Sequence, residues 1–228
     1  MMVNKPTFDG EFELENRTED DAKVIVDFFY NEDYFVFATG NNSPLEKFNA
    51  VLANTKFPWE DEEDAEFILP LGTVECWTCK KKPYKYSRIW ARNYPTEVTK
   101  LLFDPVTEIM VVGLADGTME FFHLRARGRN INYEVTKIVR VHQEAIVGLY
   151  LDSVNMIVYS ASSDGWLNTF SAKNGVLINT QEFASEITCL HGDPENMRLF
   201  VAYADGNVNI MSYNSKAKMK ILTCLATP

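Results

Sequence analysis

The chain has 228 residues, of which 46% are hydrophobic, and a formal net charge of -10 at pH 7, a composition typical of a globular domain with an apolar core. Its apolar runs, such as residues 109–114, are far shorter than the roughly 20 residues of a membrane-spanning helix, and an acidic total disfavours docking on nucleic acid or an anionic membrane. Four scattered cysteines and an N-terminus without an apolar stretch predict a protein of a reducing compartment with no secretory signal.

The N-terminal segment, residues 1–22, is set apart by its charge. It holds seven acidic residues against two basic ones, a composition that predicts solvated peptide. The alternative is an acidic arm that binds a basic partner. The folded part of the chain is predicted to be residues 23–228.

The first predicted unit, residues 23–95, is a set of strands with a long interruption. Apolar residues over 24–29 and 34–38 predict its first two strands, and a third follows at 73–78. The intervening residues 43–72 include seven acidic residues, two basic residues and three prolines. We therefore expect an acidic insert of irregular structure in place of a hairpin turn.

The acidic insert combines apolar side chains with charge. Four apolar residues between Leu45 and Leu52 have the spacing of one helical stripe, and aromatic residues then bracket an acidic run, a mixture typical of protein contacts. We predict that the insert contacts a partner protein; the alternative is that it folds back on its own sheet. The candidate contact residues are Phe48, Leu52, Phe57, Trp59, Glu60, Asp61, Glu62 and Glu63.

Three further units, residues 96–142, 143–185 and 186–228, repeat one pattern. Each has an alternating apolar run, a polar turn, a second apolar run, an Asp-Gly dipeptide and a third apolar run, and each Asp follows an aliphatic residue by 18 positions. Alternation around Asp-Gly predicts antiparallel strands joined by tight turns, in which the glycine adopts positive φ. The predicted turn residues are Asp116, Gly117, Asp164, Gly165, Asp205 and Gly206.

The linking stretch after each third strand, such as residues 133–141, predicts a fourth strand. A four-stranded antiparallel unit that recurs every 41 to 48 residues is the pattern of a β-propeller blade. The sequence therefore predicts an all-β propeller with about four blades.

The residues around the third unit resemble those of WD-repeat propellers. Val141-His142 lies where that family carries Gly-His, and Phe170-Ser171 lies where its repeat ends in Trp-Asp, so the resemblance is to a divergent member. It implies a non-enzymatic scaffold that binds other proteins. Because this family closes its ring with more blades than the four units visible here, we predict a ring that is incomplete or completed by a partner.

Residues 86–222 are similar in repeat order to proteins that combine WD repeats with a FYVE zinc finger, a module that binds a phosphoinositide on endosomes. Residues 110–124 look like their second repeat. This resemblance implies the alternative of an endosomal, membrane-trafficking adaptor. Its phosphoinositide-binding module would lie outside this chain, because the sequence has no run of zinc-spaced cysteines.

The third unit also holds a serine, a histidine and an aspartate that could suggest catalysis. In WD repeats such a set braces the blade through buried hydrogen bonds, and the resemblance implies that role for His142, Ser160 and Asp164. His142 would meet Asp164, and either Ser160 or Ser162 would join them. No nucleophile-elbow sequence surrounds Ser160, so we expect no catalytic residue and no enzyme.

Two remaining short segments of the sequence could suggest a ligand-binding site if each were read without its neighbours. Cys76 and Cys79 face opposite sides of a predicted strand and no second ligand pair follows, so no metal or cofactor is expected. The basic, aromatic stretch 80–88 favours edge protection, with RNA or phosphate contact as the alternative. We expect protein partners, as subunits of a larger complex, and neither nucleic-acid binding nor membrane insertion. The expected location is the cytoplasm, with any cytoskeletal or organellar association made through partners.

Overall fold

The computed structural model describes residues 25–30, 34–39, 72–81, 84–104, 106–127 and 130–226. Over these ranges the chain forms sixteen β-strands, and none of the described residues belongs to a helix that could cross a membrane. The acidic N-terminal segment lies outside the described residues. So do residues 40–71, which include every candidate contact residue from Phe48 to Glu63.

The strands pair in chain order into four antiparallel sheets of four strands, which we call blades 1 to 4. Blade 1 consists of β1 (Ile25–Tyr30), β2 (Tyr34–Thr39), β3 (Gly72–Lys81) and β4 (Tyr84–Tyr94). Blade 2 consists of β5 (Val98–Asp104), β6 (Ile109–Leu114), β7 (Thr118–Arg127) and β8 (Asn130–Arg140). Blade 3 consists of β9 (Ile146–Asp152), β10 (Ile157–Ser162), β11 (Trp166–Ser171) and β12 (Leu177–Glu182). Blade 4 consists of β13 (Ile187–Asp193), β14 (Arg198–Tyr203), β15 (Val208–Tyr213) and β16 (Met219–Leu225).

The first strands of successive blades lie side by side and form the inner edge of the arc. Each of them carries a β-bulge at the same place, one residue after an aliphatic position. A bulge bends the strand and increases its local twist. The aliphatic residue found 18 positions before each Asp is the residue that precedes this bulge. The residues flanking the four bulges are Ile25 and Asp27, Val98 and Lys100, Ile146 and Gly148, and Ile187 and Cys189.

Each Asp-Gly dipeptide lies in a short hairpin loop, which has three residues in blades 2 and 3 and four in blade 4. Gly117, Gly165 and Gly206 have φ values of 82°, 83° and 85°, and the amide of each donates a hydrogen bond to the carbonyl three residues earlier. A three-residue loop that ends in a glycine of positive φ, as in blades 2 and 3, is a common hairpin connection. The backbone amide of the residue before the Asp of each Asp-Gly dipeptide also donates a hydrogen bond. Its acceptor is the carbonyl of the residue just before the first strand of the same blade, so the bond ties the hairpin loop to the connection between blades.

The turns between first and second strands share another pattern. Asp104, Asp152 and Asp193 accept hydrogen bonds from backbone N–H groups and from a Thr or Asn side chain three residues later. The residue that follows this Thr or Asn has a positive φ although it is not glycine. These residues are Glu108, Met156 and Met197, with φ values of 58°, 57° and 51°. The sequence predicts the polar turn but not this conformation, which disfavours side chains.

The blades stack face to face, and the apolar core lies between them. We call the side of a blade that meets the following blade its trailing face, and the side that meets the preceding blade its leading face. Because alternate residues of a strand point to opposite faces, β6 contributes Ile109 and Val111 to the cluster with blade 3, and Met110 and Val112 to the cluster with blade 1. β6 and β10 are consequently buried along their whole length.

The predicted all-β propeller architecture is confirmed by four four-stranded blades in sequence. Three apolar clusters join blade 1 to blade 2, blade 2 to blade 3 and blade 3 to blade 4. Among the described residues no such cluster covers the trailing face of blade 4, and the ring is not closed.

The hairpin glycines are required by conformation and by space, which gives a first prediction. A β-carbon at Gly117 would lie 2.3 Å from the carbonyl oxygen of His142, and a side chain at positive φ adds about 1 kcal/mol of strain or more. We expect Gly117→Ala to lower the free energy of unfolding by about 2 kcal/mol or more, measured by urea denaturation. Met197→Gly relieves a positive φ instead and serves as the control, with no loss expected. Equal losses in the two variants would contradict this explanation.

Candidate functional site

The structure brings His142, Ser160 and Asp164 together at the junction of blades 2 and 3. His142 lies in the connection between β8 and β9, and its ring is buried. Its Nε2 atom is 2.8 Å from the Ser160 hydroxyl on β10, and its Nδ1 atom is 3.4 Å from Oδ2 of Asp164 in the following hairpin loop. Ser160, rather than Ser162, is the serine that contacts His142; the Ser162 hydroxyl donates to the carbonyl of Glu144 and accepts from the backbone amide of Asp164.

The Asp164 carboxylate fastens the connection between the two blades. Its Oδ2 accepts a hydrogen bond of 2.8 Å from the amide of Gln143, the residue after His142. Its Oδ1 accepts one of 2.9 Å from the amide of Trp166 in its own loop. One side chain therefore satisfies backbone groups of two segments, which holds the connection against the hairpin loop.

Two residues that the sequence analysis missed extend this network. The side-chain amide nitrogen of Asn168 on β11 lies 3.2 Å from Nε2 of His142, and the Thr180 hydroxyl on β12 donates to the Asn168 carbonyl oxygen. The signal for Asn168 was available, since it is a polar residue inside an alternating apolar strand. Such a residue predicts a buried hydrogen-bond partner.

The network has the atom types of a catalytic triad but lacks access to substrate. Ser160 is fully buried, so its hydroxyl cannot reach a carbonyl carbon of a bound substrate, as a nucleophile must. Burial lowers the pKa of His142, and the nearby Asp164 carboxylate opposes this shift. A neutral imidazole has one donor and one acceptor nitrogen, which suits a ring held between a carboxylate and a hydroxyl.

The position of His142 in the repeat is occupied by aromatic rings at the other two junctions. Tyr94, four residues before Val98, donates its hydroxyl at 2.9 Å to the Glu120 carboxylate. Phe183, four residues before Ile187, packs on the Tyr203 ring with 5.3 Å between centroids. The ring at this position thus contacts the following blade at all three junctions, and at the junction of blades 2 and 3 it is the imidazole of His142.

A polar residue is buried on the third strand of every described blade. In blade 2 it is Glu120, whose two carboxylate oxygens accept hydrogen bonds of 2.7 and 2.5 Å from the Arg92 guanidinium of blade 1. Arg92 also lies 5.5 Å from the centre of the Phe122 ring, a cation–π distance. In blade 4 the Asn209 amide donates to the Tyr203 hydroxyl at 2.8 Å. The four buried polar residues of the third strands are Glu75, Glu120, Asn168 and Asn209.

The other chemistry-bearing residues predicted from sequence do not form a site. Cys76 is buried between blades 1 and 2, and burial raises the pKa of its thiol to about 12, so it stays protonated at neutral pH and is a poor ligand or nucleophile. The side chains of Cys79 and of residues 80 to 88 lie outside the described ones. Within the described ranges no three His, Cys, Asp or Glu side chains are placed to hold a metal ion.

Comparison with known proteins supports the fold. No protein-family model matches the sequence, and no curated protein does. The chain is similar in structure to the computationally designed Ika4 protein, with a TM-score of 0.57 and 18% identity over 85% of this chain and 94% of that one.

Two natural WD-repeat propeller proteins are also similar. Sqt1 of Saccharomyces cerevisiae has a TM-score of 0.59 and 13% identity, over 68% of this chain and 45% of that one. Hsv2 of Kluyveromyces lactis has a TM-score of 0.58 and 13% identity, over 85% and 50%. The chain therefore has a WD-like propeller fold, and it spans about half the length of these two proteins.

The lowered pKa of His142 predicts a pH dependence of stability. The unfolded chain, whose histidine has its ordinary pKa of about 6.5, binds more protons than the folded chain just below that pH. The free energy of unfolding should therefore fall as the pH drops through about 6.5, and this part of the fall should be absent in His142→Gln. Urea denaturation between pH 7 and 5 measures it.

The control is His191→Gln, because His191 is exposed; this variant should keep the pH dependence of the wild type. In the intact protein, NMR titration should give His142 an imidazole pKa below 6.5. A pKa at or above the ordinary value would show that Asp164, rather than burial, dominates.

The Arg92–Glu120 pair predicts a second effect on stability. Arg92→Met leaves the Glu120 carboxylate buried with the Tyr94 hydroxyl as its described side-chain donor, so we expect a loss of about 3 kcal/mol. Adding Glu120→Gln removes the buried charge and should recover part of that loss. Arg140→Met, at an exposed arginine, is the control. A double variant no more stable than Arg92→Met would contradict the assignment.

Proposed function

We propose that the protein is a non-enzymatic, cytoplasmic scaffold whose blades hold other proteins within a larger assembly. The likeness to WD-repeat propellers supports this class of function. The burial of Ser160 and the pairing of His142 and Asp164 within the blade junction support the absence of catalysis at this triad-like site.

The observation that carries the proposal is a pair of valines on equivalent turns. Val106, between β5 and β6, is 87% exposed, and Val154, between β9 and β10, is 90% exposed. They are the two most exposed large hydrophobic side chains of the described residues. Turn tips are ordinarily polar, so two apolar tips at the same repeat position favour a contact with another protein.

The two turns are held next to one another by a side-chain hydrogen bond. The Ser153 hydroxyl of blade 3 donates to the Asp104 carboxylate of blade 2 at 2.9 Å. Asp104 also accepts from Thr107 in its own turn at 2.8 Å. Partial burial raises the pKa of Asp104, but the hydrogen-bond donors together outweigh it and lower the pKa. The valines therefore stand on adjacent, hydrogen-bonded turns at one end of the blades, which suits a preorganised docking surface.

The finer alternative, an endosomal trafficking adaptor like the proteins that combine WD repeats with a FYVE finger, stays a proposal. It requires a phosphoinositide-binding module outside this chain. The predicted contacts of the acidic insert, residues 43–72, also stay a prediction, because the candidate residues lie outside the described ones.

Quantitative affinity purification tests the scaffold role. We expect Val106→Ser combined with Val154→Ser to lose most of at least one protein that the wild type retains, with an unchanged circular dichroism spectrum. Val176→Ser is the matched control, because Val176 is 51% exposed on a different loop, and it should retain that protein. If the double variant retains every partner of the wild type, the valine turns are not the docking surface. If the wild type retains no protein above an unrelated propeller, the scaffold proposal itself is wrong.

A further inference from the structure

The turns between first and second strands follow one another at one end of the blades, and their tips differ at one repeat position. The residue two positions after the aspartate that begins each turn is Val106 in blade 2, Val154 in blade 3 and Glu195 in blade 4. All three side chains are exposed. These three residues, which we call the tip row, therefore present two apolar side chains followed by an acidic one.

Contacts between blades fix the three turns relative to one another. The hydrogen bond from Ser153 to Asp104 joins the first two. Between the second and third, the Tyr150 ring of β9 lies so close to Gly192, the residue just before the third turn, that a β-carbon there would lie 2.1 Å from a ring carbon. The Tyr150 hydroxyl is also 3.0 Å from that of Tyr213 on β15. A ligand of the tip row thus meets turns that are already held in place, which lowers the cost of binding.

The charge of these turns favours a basic ligand. Their described residues include five acidic side chains and no lysine or arginine; the acidic residues are Asp104, Glu108, Asp152, Asp193 and Glu195. The three aspartates accept hydrogen bonds within their own turns. Glu195 is exposed and belongs to no ion pair among the described residues. Because like charges oppose each other across an interface, a lysine or arginine suits the position next to Glu195.

The spacing of the blades favours one conformation of the ligand. Sheets packed face to face lie about 10 Å apart, so consecutive tips of the row are separated by roughly that distance. A polyproline II segment points every third side chain in the same direction and advances about 9 Å over those three residues. A β-strand turns side chains three residues apart to opposite sides. The polyproline II conformation therefore matches the row, and its preformed geometry costs little entropy on binding.

We propose that the tip row binds a polyproline II segment of a partner protein, with two apolar side chains three residues apart and a lysine or arginine three residues further along. The apolar side chains pack on Val106 and Val154, and the cation pairs with Glu195. This assignment rests on the docking surface proposed above and names the chemistry of its partner.

Selection of peptides on the immobilised full chain tests the assignment. From a random library of peptides of about twelve residues displayed on phage, we expect enrichment of sequences with the apolar, apolar and basic residues at intervals of three. A synthetic copy of an enriched peptide is then titrated by fluorescence anisotropy. We expect Val106→Ser combined with Val154→Ser to weaken its binding about tenfold or more, because both apolar contacts are lost.

A charge swap tests the role of Glu195. We expect Glu195→Lys to weaken binding of the basic peptide about fivefold and to bind more tightly a peptide whose lysine or arginine is replaced by glutamate. Glu186→Lys is the matched control, because Glu186 is an exposed glutamate at the opposite end of β14, beside the hairpin loop. It should leave the preference for the basic peptide unchanged. Circular dichroism spectra of all variants should match that of the wild type.

The possible results separate this assignment from the scaffold role. If enriched peptides need the two valines but Glu195→Lys keeps the preference for a basic residue, the pairing with Glu195 is wrong and docking on the valines stands. If Glu186→Lys reverses the preference equally, the charge effect is not specific to the tip row, and the assignment is wrong. If no enriched peptide depends on Val106 and Val154, the peptide assignment is overturned, whereas affinity purification decides the scaffold role independently.

Discussion

Blades 2 and 3 of this protein are single sheets with apolar side chains on both faces, and those side chains are buried by the neighbouring blades. Blades 2 and 3 approach each other so closely that a β-carbon at Gly113, on β6, would lie 2.7 Å from the side chain of Ile146, on β9. The bulges and hairpin loops place each blade for this contact, and the three clusters between blades make up the core. Stability is therefore a property of neighbouring blades rather than of one sheet, as in other repeat proteins.

Apolar stacking alone does little to fix how one blade is oriented on the next. Buried polar residues of the third strands contribute this specificity. Glu120, Asn168 and Asn209 occupy one position in the repeat but are satisfied by a guanidinium, by an imidazole and a hydroxyl, and by a phenol, respectively. The partners of Glu120 and Asn168 include Arg92 of the preceding blade and His142 of the connection between blades, so they are available only in one arrangement of the two blades, and an unsatisfied buried polar group costs a few kcal/mol. Asn209 bonds within its own blade. His142, Ser160 and Asp164 are understood as one of these junctions, which explains why their triad-like contacts lie beyond the reach of a substrate.

The sequence predicted the strands and hairpin loops well because those signals are local. Asp-Gly, the spacing of 18 residues and the alternation of apolar residues all act within one blade, and they led to the correct architecture. Arg92 and Thr180 were missed because they reach their partners Glu120 and Asn168 from a neighbouring blade or strand. The positive φ of Met156 and Met197 was missed because the Asp-based turns override an unfavourable local preference.

Hydrogen exchange of the intact chain tests most directly whether stacking on both faces stabilises a blade. β10 and β11 of blade 3 and β14 and β15 of blade 4 are all central strands of four-stranded sheets, paired with a strand on each side. They differ in that blade 3 has a blade on each face. If stacking governs stability, the amides of β10 and β11 exchange more slowly than those of β14 and β15. Equal protection of the two blades, or slower exchange in blade 4, would contradict it.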